Sequence, residues 1–378
     1  MTSFNVVFDL DDTLMPNSWR YAKAKFRCGY IIADAFSRKC ASGSADWIRW
    51  ELTKATYACG IIIVDALGND SPYNSELLRR VRDLSSANLS KQASPGFRAD
   101  YFQRNWVSAY ELFCTESGRS ADPLISEKLV SVTQRFSRNP QRSACTKLTA
   151  EDLSFFGERL IELQGRIDGE KIRQHGLSRH LFPDSWIEAY QVFCNEVSQE
   201  PDPVVARKVR GAAARFQRGP FRAYPDAIEA LRQIRGMGHV LHLVTAGENK
   251  LQRRKIEQAG LGSFFEGRIH VVSFDKRNRL KTIANGQPKN TIMVGDSLRI
   301  DVAAAVDVGV RAVLIPIRVG WPEDDVQVEK DAYTVIKAIR DLPAHITKWS
   351  EANGNGRKKR KSRQKRRKSK RLQRPTPE

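Results

Sequence analysis

The chain has 378 residues, of which 41% are hydrophobic, and its Lys and Arg exceed its Asp and Glu by 20. This length suffices for two domains with substantial cores. No apolar run approaches the roughly 18–20 residues of a membrane-spanning helix, and the N-terminus enters a strand-like segment without a secretory signal. We therefore predict a cytoplasmic protein without a transmembrane segment, or a nuclear one if the source is eukaryotic.

The cysteine pattern argues against a zinc site or a disulfide framework. The six cysteines form no CxxC pair, and without an export signal they are expected to be reduced thiols, several on apolar helix faces. They are Cys28, Cys40, Cys59, Cys114, Cys145 and Cys194.

The positive charge is concentrated at the C-terminus. From Arg357 to Glu378 there are 13 Lys and Arg and one Glu, so this segment holds +12 and the remaining 356 residues hold +8. Such a segment repels itself and cannot bury a core, so residues 349–378 are predicted to be a disordered basic tail. Residues 357–374 could bind nucleic acid non-specifically, although basic tails also aid solubility or bind anionic membranes.

The first predicted strand, residues 4–8, ends in a cluster of acids. Its apolar residues suit a strand buried on both faces, as in a parallel α/β sheet, and Asp9, Asp11 and Asp12 follow at once. Ligands bind at the carboxyl ends of such strands, and clustered carboxylates repel each other unless a cation or proton is shared. An acidic turn or helix N-cap is the simpler alternative.

A predominantly helical region follows this strand. Helical spacing of apolar residues covers 19–36 and 47–67, and no buried strand is evident before about Phe221. The segment from Trp106 to Cys114 recurs from Trp186 to Cys194, at an offset of 80. Each copy, about 103–140 and 183–220, is predicted to be a helix, an Asp-Pro turn and a second helix.

Three further matches support this repeat, and Tyr110 and Tyr190 within it have two possible roles. Lys128, Arg135 and Arg138 match Lys208, Arg215 and Arg218 at the same offset, and a fainter third copy covers 58–84, with Pro72 in its turn. The shared spacing predicts stacked helical hairpins. Tyr110 and Tyr190 are expected to pack in the core, with a role in a pocket as the alternative.

Strand and helix alternate after Phe221. Strands are predicted at 240–244, 269–272, 291–294 and 312–315, and helices at 227–234, 250–258, 281–284 and 301–306. The first strand has no partner near it in sequence, so it must pair with this later block. The fold class is therefore α/β, with a Rossmann-like parallel sheet, helices on both faces, an inserted mostly α-helical domain and the basic tail.

Several residue types suited to phosphoryl chemistry follow these strands. Carboxylates suit Mg²⁺, and a carboxylate can also attack phosphorus to give an aspartyl-phosphate. Phosphoryl transfer then needs hydroxyl and cationic groups around the negative charge. The candidates are Asp9, Asp11, Thr245, a lysine within 276–281, Asp296 and Asp301.

Taken in order, these stretches resemble the four motifs of the haloacid dehalogenase superfamily. They are Asp9-Leu10-Asp11-Asp12-Thr13, Thr245, Lys276, and the segment from Gly295 to Asp301. The resemblance implies a phosphatase-type hydrolase whose catalytic core is formed by residues 1–16 and 222–348. Residues 17–221 would be the helical cap that some members carry after the first motif.

The resemblance also implies a role for each matching residue. Asp9 would be the nucleophile and Asp11 the general acid and base. Asp9, Asp11 through its backbone carbonyl, Asp296 and Asp301 would hold Mg²⁺. Thr245, Ala246, Gly247 and Lys276 would bind the substrate phosphate, with Lys281 as the alternative lysine and Asp12 as a turn residue.

The predicted function is therefore Mg²⁺-dependent hydrolysis of a small phosphorylated substrate through an aspartyl-phosphate. Asp11 favours phosphate esters over dehalogenation within the family, whereas a phosphomutase shares the motif. The alternative class is a nucleic-acid-binding protein that uses its basic tail, or a phosphatase of nucleotides or nucleic-acid ends.

Overall fold

A computed structural model of the chain describes residues 3–68, 77–81, 83–84, 99–137, 150–316 and 326–352. Its centre is a sheet of six parallel strands in the order β3-β2-β1-β4-β5-β6. The strands are β1 (Asn5–Phe8), β2 (Val240–Ala246), β3 (Ile269–Val272), β4 (Thr291–Gly295), β5 (Arg311–Leu314) and β6 (Tyr333–Val335). The parallel α/β fold predicted from the sequence is thereby confirmed.

β1 occupies the middle of this sheet, as its apolar composition predicted. Val6 pairs with Leu241 of β2 on one side and with Ile292 of β4 on the other. β1 thus bonds only to strands more than 230 residues later, and the whole helical region is inserted between β1 and β2.

Seven helices with described bounds lie in this helical insertion, and residues 77–81 and 83–84 are helical as well. The seven are α1 (Ser18–Lys39), α2 (Ala45–Leu67), α3 (Ala99–Glu116), α4 (Pro123–Ser137), α5 (Ala150–His175), α6 (Leu181–Glu196) and α7 (Pro203–Ala213). A 3₁₀ turn, Ala214–Gln217, follows α7. The described residues from 17 to 221 contain no strand, as predicted, while the exact domain boundaries stay a prediction.

Helices cover both faces of the sheet. After the insertion they are α8 (Pro225–Gly236), α9 (Asn249–Gln258), α10 (Gly262–Phe265), α11 (Arg277–Ala284) and α12 (Ala304–Asp307). Residues 342–352, after β6, are also helical. Alternate residues of β1 face different cores, since Val6 belongs to the apolar cluster that contains Leu231 of α8, and Val7 belongs to the cluster that contains Leu280 of α11. Such alternation follows from the two-residue period of a strand.

Three details of the α/β unit differ from the sequence-based expectation. A sixth strand, β6, follows the strand that was expected to be last. With only three residues and an exposed Val335, it lacks a recognisable apolar run. α11 begins four residues before the predicted position, and a π-helical turn, Leu298–Ala303, precedes α12.

The repeat forms two hairpins of matching geometry. Pro123 and Pro203 begin the second helix of each hairpin, α4 and α7, as predicted. The backbone N–H of Asp122 donates to the Tyr110 hydroxyl at 3.1 Å, and the N–H of Asp202 donates to Tyr190 at 3.0 Å. Both tyrosines are buried, which confirms core packing over a pocket role.

The third repeat copy, the cysteines and the basic tail lie only in part within the described residues. In the third proposed copy, residues 58–67 belong to α2, while Pro72 lies outside the described residues. Five cysteines are free thiols, four of them buried, and Cys145 lies outside the described residues. Of the predicted tail 349–378, residues 353–378 also lie outside them, whereas residues 349–352 are helical and Ser350 is buried. Within the described chain, no helix has the length and apolar character to cross a membrane.

Candidate active site

The predicted acids meet because two neighbouring strands end at the same edge of the sheet. Asp9 follows β1, and its backbone N–H extends the ladder to Val294 of β4 at 2.9 Å. Asp296 follows β4 directly. Asp301 lies within the π-helical turn that leaves β4 and returns its side chain to the same place. The carboxyl edge of the sheet thus holds three carboxylates, as the motif spacing predicted.

These three carboxylates form a compact cluster. One oxygen each of Asp9, Asp296 and Asp301 lies within 4.8 Å of the others. Burial raises the pKa of Asp9 to about 7, against the opposing effect of Lys276. Burial, together with the neighbouring carboxylates, raises the pKa of Asp296 well above its ordinary value. The cluster therefore resists carrying its full negative charge without a cation.

Lys276 supplies one positive charge to this cluster. Its Nζ donates to Oδ1 of Asp9 and, at 2.6 Å, to Oδ1 of Asp301. Burial lowers the pKa of Lys276 while Asp301 and Asp9 raise it, and the net direction is upward. Lys281 is exposed on α11, so the structure brings Lys276 and not Lys281 to the acids.

The turn after β4 is built around Asp301. The backbone N–H of Ser297 donates to Oδ2 of Asp301 at 3.1 Å, and the Ser297 hydroxyl accepts from the N–H of Ile300 at 3.0 Å. A Cβ on Gly295 would lie 2.1 Å from the Asp301 carboxylate. Only glycine therefore fits at the end of β4, which gives the motif its Gly-Asp order.

The donor set at this edge fits a hard divalent cation. The cluster has three carboxylates, and the ammonium group of Lys276 pairs with two of them, so negative charge is in excess. Oxygen ligands of this kind suit Mg²⁺, which prefers carboxylates and retained waters. The residues present therefore fit the metal that the motifs imply.

Asp11 is not part of this cluster, although it lines the same cavity, and its carboxylate is held by α9. Lys255 Nζ donates to both carboxylate oxygens of Asp11, at 2.8 and 2.7 Å. Gln252 Nε2 lies 3.0 Å from Asp11 Oδ2 and 2.6 Å from the Thr245 hydroxyl. Gln252 and Lys255 are both 2% exposed. Two buried side chains thus fix Asp11 beside Thr245.

Gln252 and Lys255 were not predicted from the sequence, although α9 carries a signal for them. Leu251, Gln252, Lys255 and Ile256 share the buried face of this helix. A polar pair at i and i+3 within an apolar stripe must find polar partners, because buried polar groups are rarely left unpaired. Their partner Asp11 is more than 240 residues away, so the pattern alone could not name it.

Residues 245–247, at the end of β2, were predicted to bind phosphate. The structure limits the role of Gly247 in this binding. Thr245 and Ala246 end β2 at the carboxyl edge, and all three residues line a cavity above the acid cluster. The N–H of Gly247, however, donates to the carbonyl of Val272 at 2.8 Å. This backbone bond extends the β2–β3 ladder, so the Gly247 N–H is not available to a phosphoryl oxygen in this conformation.

Asp12 has a structural role, as expected for a turn residue. Its backbone is left-handed, with φ of 59°. Its carboxylate accepts from the backbone N–H of Asn17 at 2.8 Å and of Ser18 at 2.9 Å. The Ser18 hydroxyl also donates to it at 2.5 Å. Asp12 therefore joins the catalytic-edge loop to the first turn of α1.

The cavity above the acid cluster has a volume of about 110 Å³ and lies between the sheet edge and the helical insertion. Tyr21 of α1, Phe216 and the segment 177–179 after α5 line its far side. Leu177 donates its backbone N–H to Ser273 at 3.3 Å, and Arg179 pairs with Glu248 at 3.2 Å. The insertion therefore closes the site from above and contacts the loops after β2 and β3.

Comparison with known proteins agrees with this architecture. A family model for haloacid dehalogenase-like hydrolases matches residues 147–309, a span that includes Thr245, Lys276, Asp296 and Asp301. A phosphoserine phosphatase from Thermus thermophilus is 36% identical over 120 residues, which cover 30% of this chain and 48% of that protein. The chain thus matches about half the length of this relative.

Two solved structures show a partial likeness. A haloacid dehalogenase-like hydrolase from Xanthomonas campestris is 19% identical with a TM-score of 0.42, covering 51% of this chain and 78% of the other. A predicted phosphoglycolate phosphatase from Haemophilus somnus is 15% identical with a TM-score of 0.34, covering 50% and 92%. Residues 147–309 thus match the haloacid dehalogenase-like hydrolase family, to which the chain is similar over this span.

Proposed function

We propose that this protein hydrolyses phosphomonoesters through an aspartyl-phosphate formed on Asp9. The observation that carries this proposal is the contact of Lys276 with both Asp9 and Asp301 in a buried cluster with excess negative charge. Such a cluster can receive a phosphoryl group only if cations offset its charge. The similarity to a phosphoserine phosphatase supports the same class of reaction.

Asp9 would act as the nucleophile. A carboxylate oxygen of Asp9 bonds to phosphorus while the bond from phosphorus to the ester oxygen breaks. Lys276 would hold the attacking carboxylate and neutralise the phosphoryl oxygens, since its Nζ already contacts Asp9. The Thr245 hydroxyl, beside Gln252, would donate to a phosphoryl oxygen. Ala246 and Gly247 would shape the wall next to it.

Asp11 would transfer the protons in both halves of the reaction. It gives a proton to the departing ester oxygen, then takes one from the water that attacks phosphorus and releases Asp9. Lys255 and Gln252 would position its carboxyl group for both steps, because they bond its two oxygens. Phosphate and the free alcohol are the products.

Asp9, Asp296, Asp301 and the backbone carbonyl of Asp11 would hold Mg²⁺. When bound, the ion supplies positive charge to the phosphoryl group. The Thr13 hydroxyl lies 3.4 Å from Oδ1 of Asp296 and would orient that ligand.

The helical insertion would act as a cap that selects the substrate. The cavity of about 110 Å³ between it and the sheet suits a small phosphorylated compound. A phosphomutase would use the same residues, and nucleotides or nucleic-acid ends are the alternative substrates. The proposed contact with nucleic acid stays a prediction, because residues 357–374 lie outside the described residues. The cytoplasmic location stays a prediction as well.

Hydrolysis of p-nitrophenyl phosphate with and without Mg²⁺ tests the reaction. Asp9→Asn should lower the rate by roughly a thousandfold or more, because it removes the nucleophile. Asp331→Asn, at an exposed position remote from the cavity, is the matched control and should keep full activity. Equal activity of Asp9→Asn and the control would contradict the proposal.

A substrate screen separates the alternatives. Amino-acid phosphates, sugar phosphates, nucleotides and 5′-phosphorylated oligonucleotides would each be assayed for phosphate release. Release from small esters supports the cap model, whereas exclusive release from oligonucleotide ends would replace it. Transfer between two sugar positions without phosphate release would identify a mutase.

A further inference from the structure

A second cavity lies on the helical insertion, apart from the candidate active site. It is a groove of about 460 Å³ between α1, α2 and α7, and it shares no lining residue with the first cavity. Four cations line it: Arg27, Lys208, Arg215 and Arg218. No carboxylate is among the described residues that form its wall. We call this feature the basic groove.

The cations of the basic groove are only partly compensated within the described chain. Among the described residues, none of the four has a side-chain ion pair. Burial and the nearby Arg215 lower the pKa of Arg27, whereas Asp65 raises it. The Asp65 carboxylate is itself bonded to Lys23. Positive charge is therefore in excess among the described residues around the groove, so an external anion would stabilise it.

The floor of the basic groove is apolar and aromatic. Tyr30, Ile31 and Ile61 are half-buried there, whereas Lys208 and Arg215 stand exposed at the rim. The arrangement suits a ligand that presents several negative charges together with flat apolar surfaces. Bases stacking on aromatic side chains, with cations tracking the phosphates, give single-stranded nucleic acids this character.

The internal repeat adds an independent observation. Lys208, Arg215 and Arg218 occupy the positions that Lys128, Arg135 and Arg138 occupy in the first copy. These cations are thus present in both copies together with the Trp and Tyr of the hairpin core. Core packing explains the aromatic residues but gives no reason to keep Lys208, Arg215 and Arg218, which are exposed.

Charge argues against two occupants that the chain itself could provide. The C-terminal segment 357–378 carries 13 Lys and Arg and would be repelled by the groove. A second copy of the chain, with its net charge of +20, would bring the same sign. We propose that the basic groove binds single-stranded nucleic acid, with phosphates on its four cations and a base on Tyr30. This proposal is independent of the hydrolytic activity.

Fluorescence anisotropy with a labelled single-stranded oligonucleotide tests the proposal on the full chain. The variant Arg27→Gln/Lys208→Gln/Arg215→Gln should bind at least tenfold more weakly at low salt. The slope of log K against log salt should become shallower by about 2, since each lost phosphate contact on a single strand contributes about 0.7. Lys208→Gln and Arg215→Gln alone, both at exposed positions, should each change the slope by about 0.7.

The matched control removes three exposed cations elsewhere, as Arg232→Gln/Lys289→Gln/Lys348→Gln. The basic tail is present in every protein, so its contribution cancels in the comparison. The control should retain the wild-type slope. Equal losses in the two triple variants would show that binding depends on net charge alone and would overturn the proposal.

Tyr30→Leu separates nucleic acid from other polyanions. It keeps an apolar floor but removes the aromatic face, so affinity should fall about tenfold with an unchanged salt slope. An unchanged affinity, or displacement of the oligonucleotide by polyglutamate of equal charge with equal potency, would indicate an acidic polypeptide ligand and overturn the assignment. Thermal melting by circular dichroism confirms that each variant is folded.

Discussion

The α/β unit and the helical insertion use buried charged side chains differently. In the α/β unit, the ends of β1 and β4 direct carboxylates to one cavity, where Lys276 bonds Asp9 and Lys255 bonds Asp11. In the insertion, the buried Lys54 pairs with Asp34 and Glu51 away from the lining of that cavity, and many cations remain at the surface.

The candidate reacting groups thus lie in the α/β unit, whereas the insertion shapes the cavity above them. The carboxylates and ammonium groups at the sheet edge are not explained by packing, because burying a charge costs free energy unless it is paired. The insertion closes the cavity from above and forms the basic groove at a distance from it. Substitutions in the α/β unit should therefore change mainly the activity, whereas substitutions in the insertion should change mainly the stability.

Lys255→Met is expected to have the largest effect among substitutions that leave the reacting groups in place. It removes the ammonium group from Asp11 while keeping a side chain of similar length, so the acid loses its fixed position. We expect kcat for an aryl phosphate to fall by roughly a hundredfold, since small misplacements of catalytic groups are costly. Lys255→Arg should recover part of the loss, because it restores a positive charge.

Lys250→Met is the control on the same helix, because Lys250 is exposed at the start of α9. It should keep kcat within about twofold. If both variants lose activity equally, α9 contributes general stability and not the positioning of Asp11. A change in KM with an unchanged kcat would contradict the assignment as well.

The sequence was informative where strands and ligands follow one simple rule. Asp9 and Asp296 could be placed together because neighbouring parallel strands end at one edge. Lys276 could not be separated from Lys281 by spacing alone, and only the burial of Lys276 against Asp301 does so. The rule identifies the edge but not which side chains reach it.

The sequence was less informative where a contact joins distant segments without a motif. Lys255 pairs with Asp11 across 244 residues, and its helix shows only a polar position in an apolar stripe. β6 is too short for a periodic signal. In the insertion, the hairpins could be predicted because the same residue pattern occurs twice. The groove between α1, α2 and α7 could not, because it depends on how three helices pack.

Gly60→Ala should chiefly affect the stability of the insertion. A Cβ on Gly60 of α2 would lie 2.7 Å from the Phe26 ring of α1, and one on Gly29 of α1 would lie 2.4 Å from Tyr57 of α2. These reciprocal contacts set the close approach of the two helices. We expect the substitution to lower the free energy of unfolding by about 1–3 kcal/mol through overpacking.

Urea denaturation of Gly60→Ala and of Gly165→Ala measures this effect. Gly165 is also inside a helix, α5, but a Cβ at this position would have nothing within 4 Å, so alanine should stabilise by about 0.5–1 kcal/mol. Opposite signs are therefore expected from the same substitution. Equal shifts would mean that helix propensity, and not the contact with Phe26, decides the outcome.

Tyr190→Phe should have the smallest effect of these variants, a small loss of stability. It tests a hydrogen bond that both copies of the repeat share. The Tyr190 hydroxyl accepts from the backbone N–H of Asp202 at 3.0 Å, next to the Asp-Pro turn that begins α7. Removing it leaves a partly buried donor without its acceptor, at a cost of about 1 kcal/mol. Tyr110→Phe should cost about the same, because the equivalent bond to Asp122 is 3.1 Å.

Kinetics of the same two variants distinguish packing from recognition. Neither tyrosine lines the cavity above the acid cluster, so KM and kcat should stay at the wild-type values while both melting temperatures fall. A raised KM in Tyr190→Phe alone would place this hydroxyl in substrate binding and would break the symmetry of the two hairpins. Equal thermal losses with unchanged kinetics would show that the repeat preserves a fold-stabilising turn, leaving substrate choice to the segment 177–179, Tyr21 and Phe216.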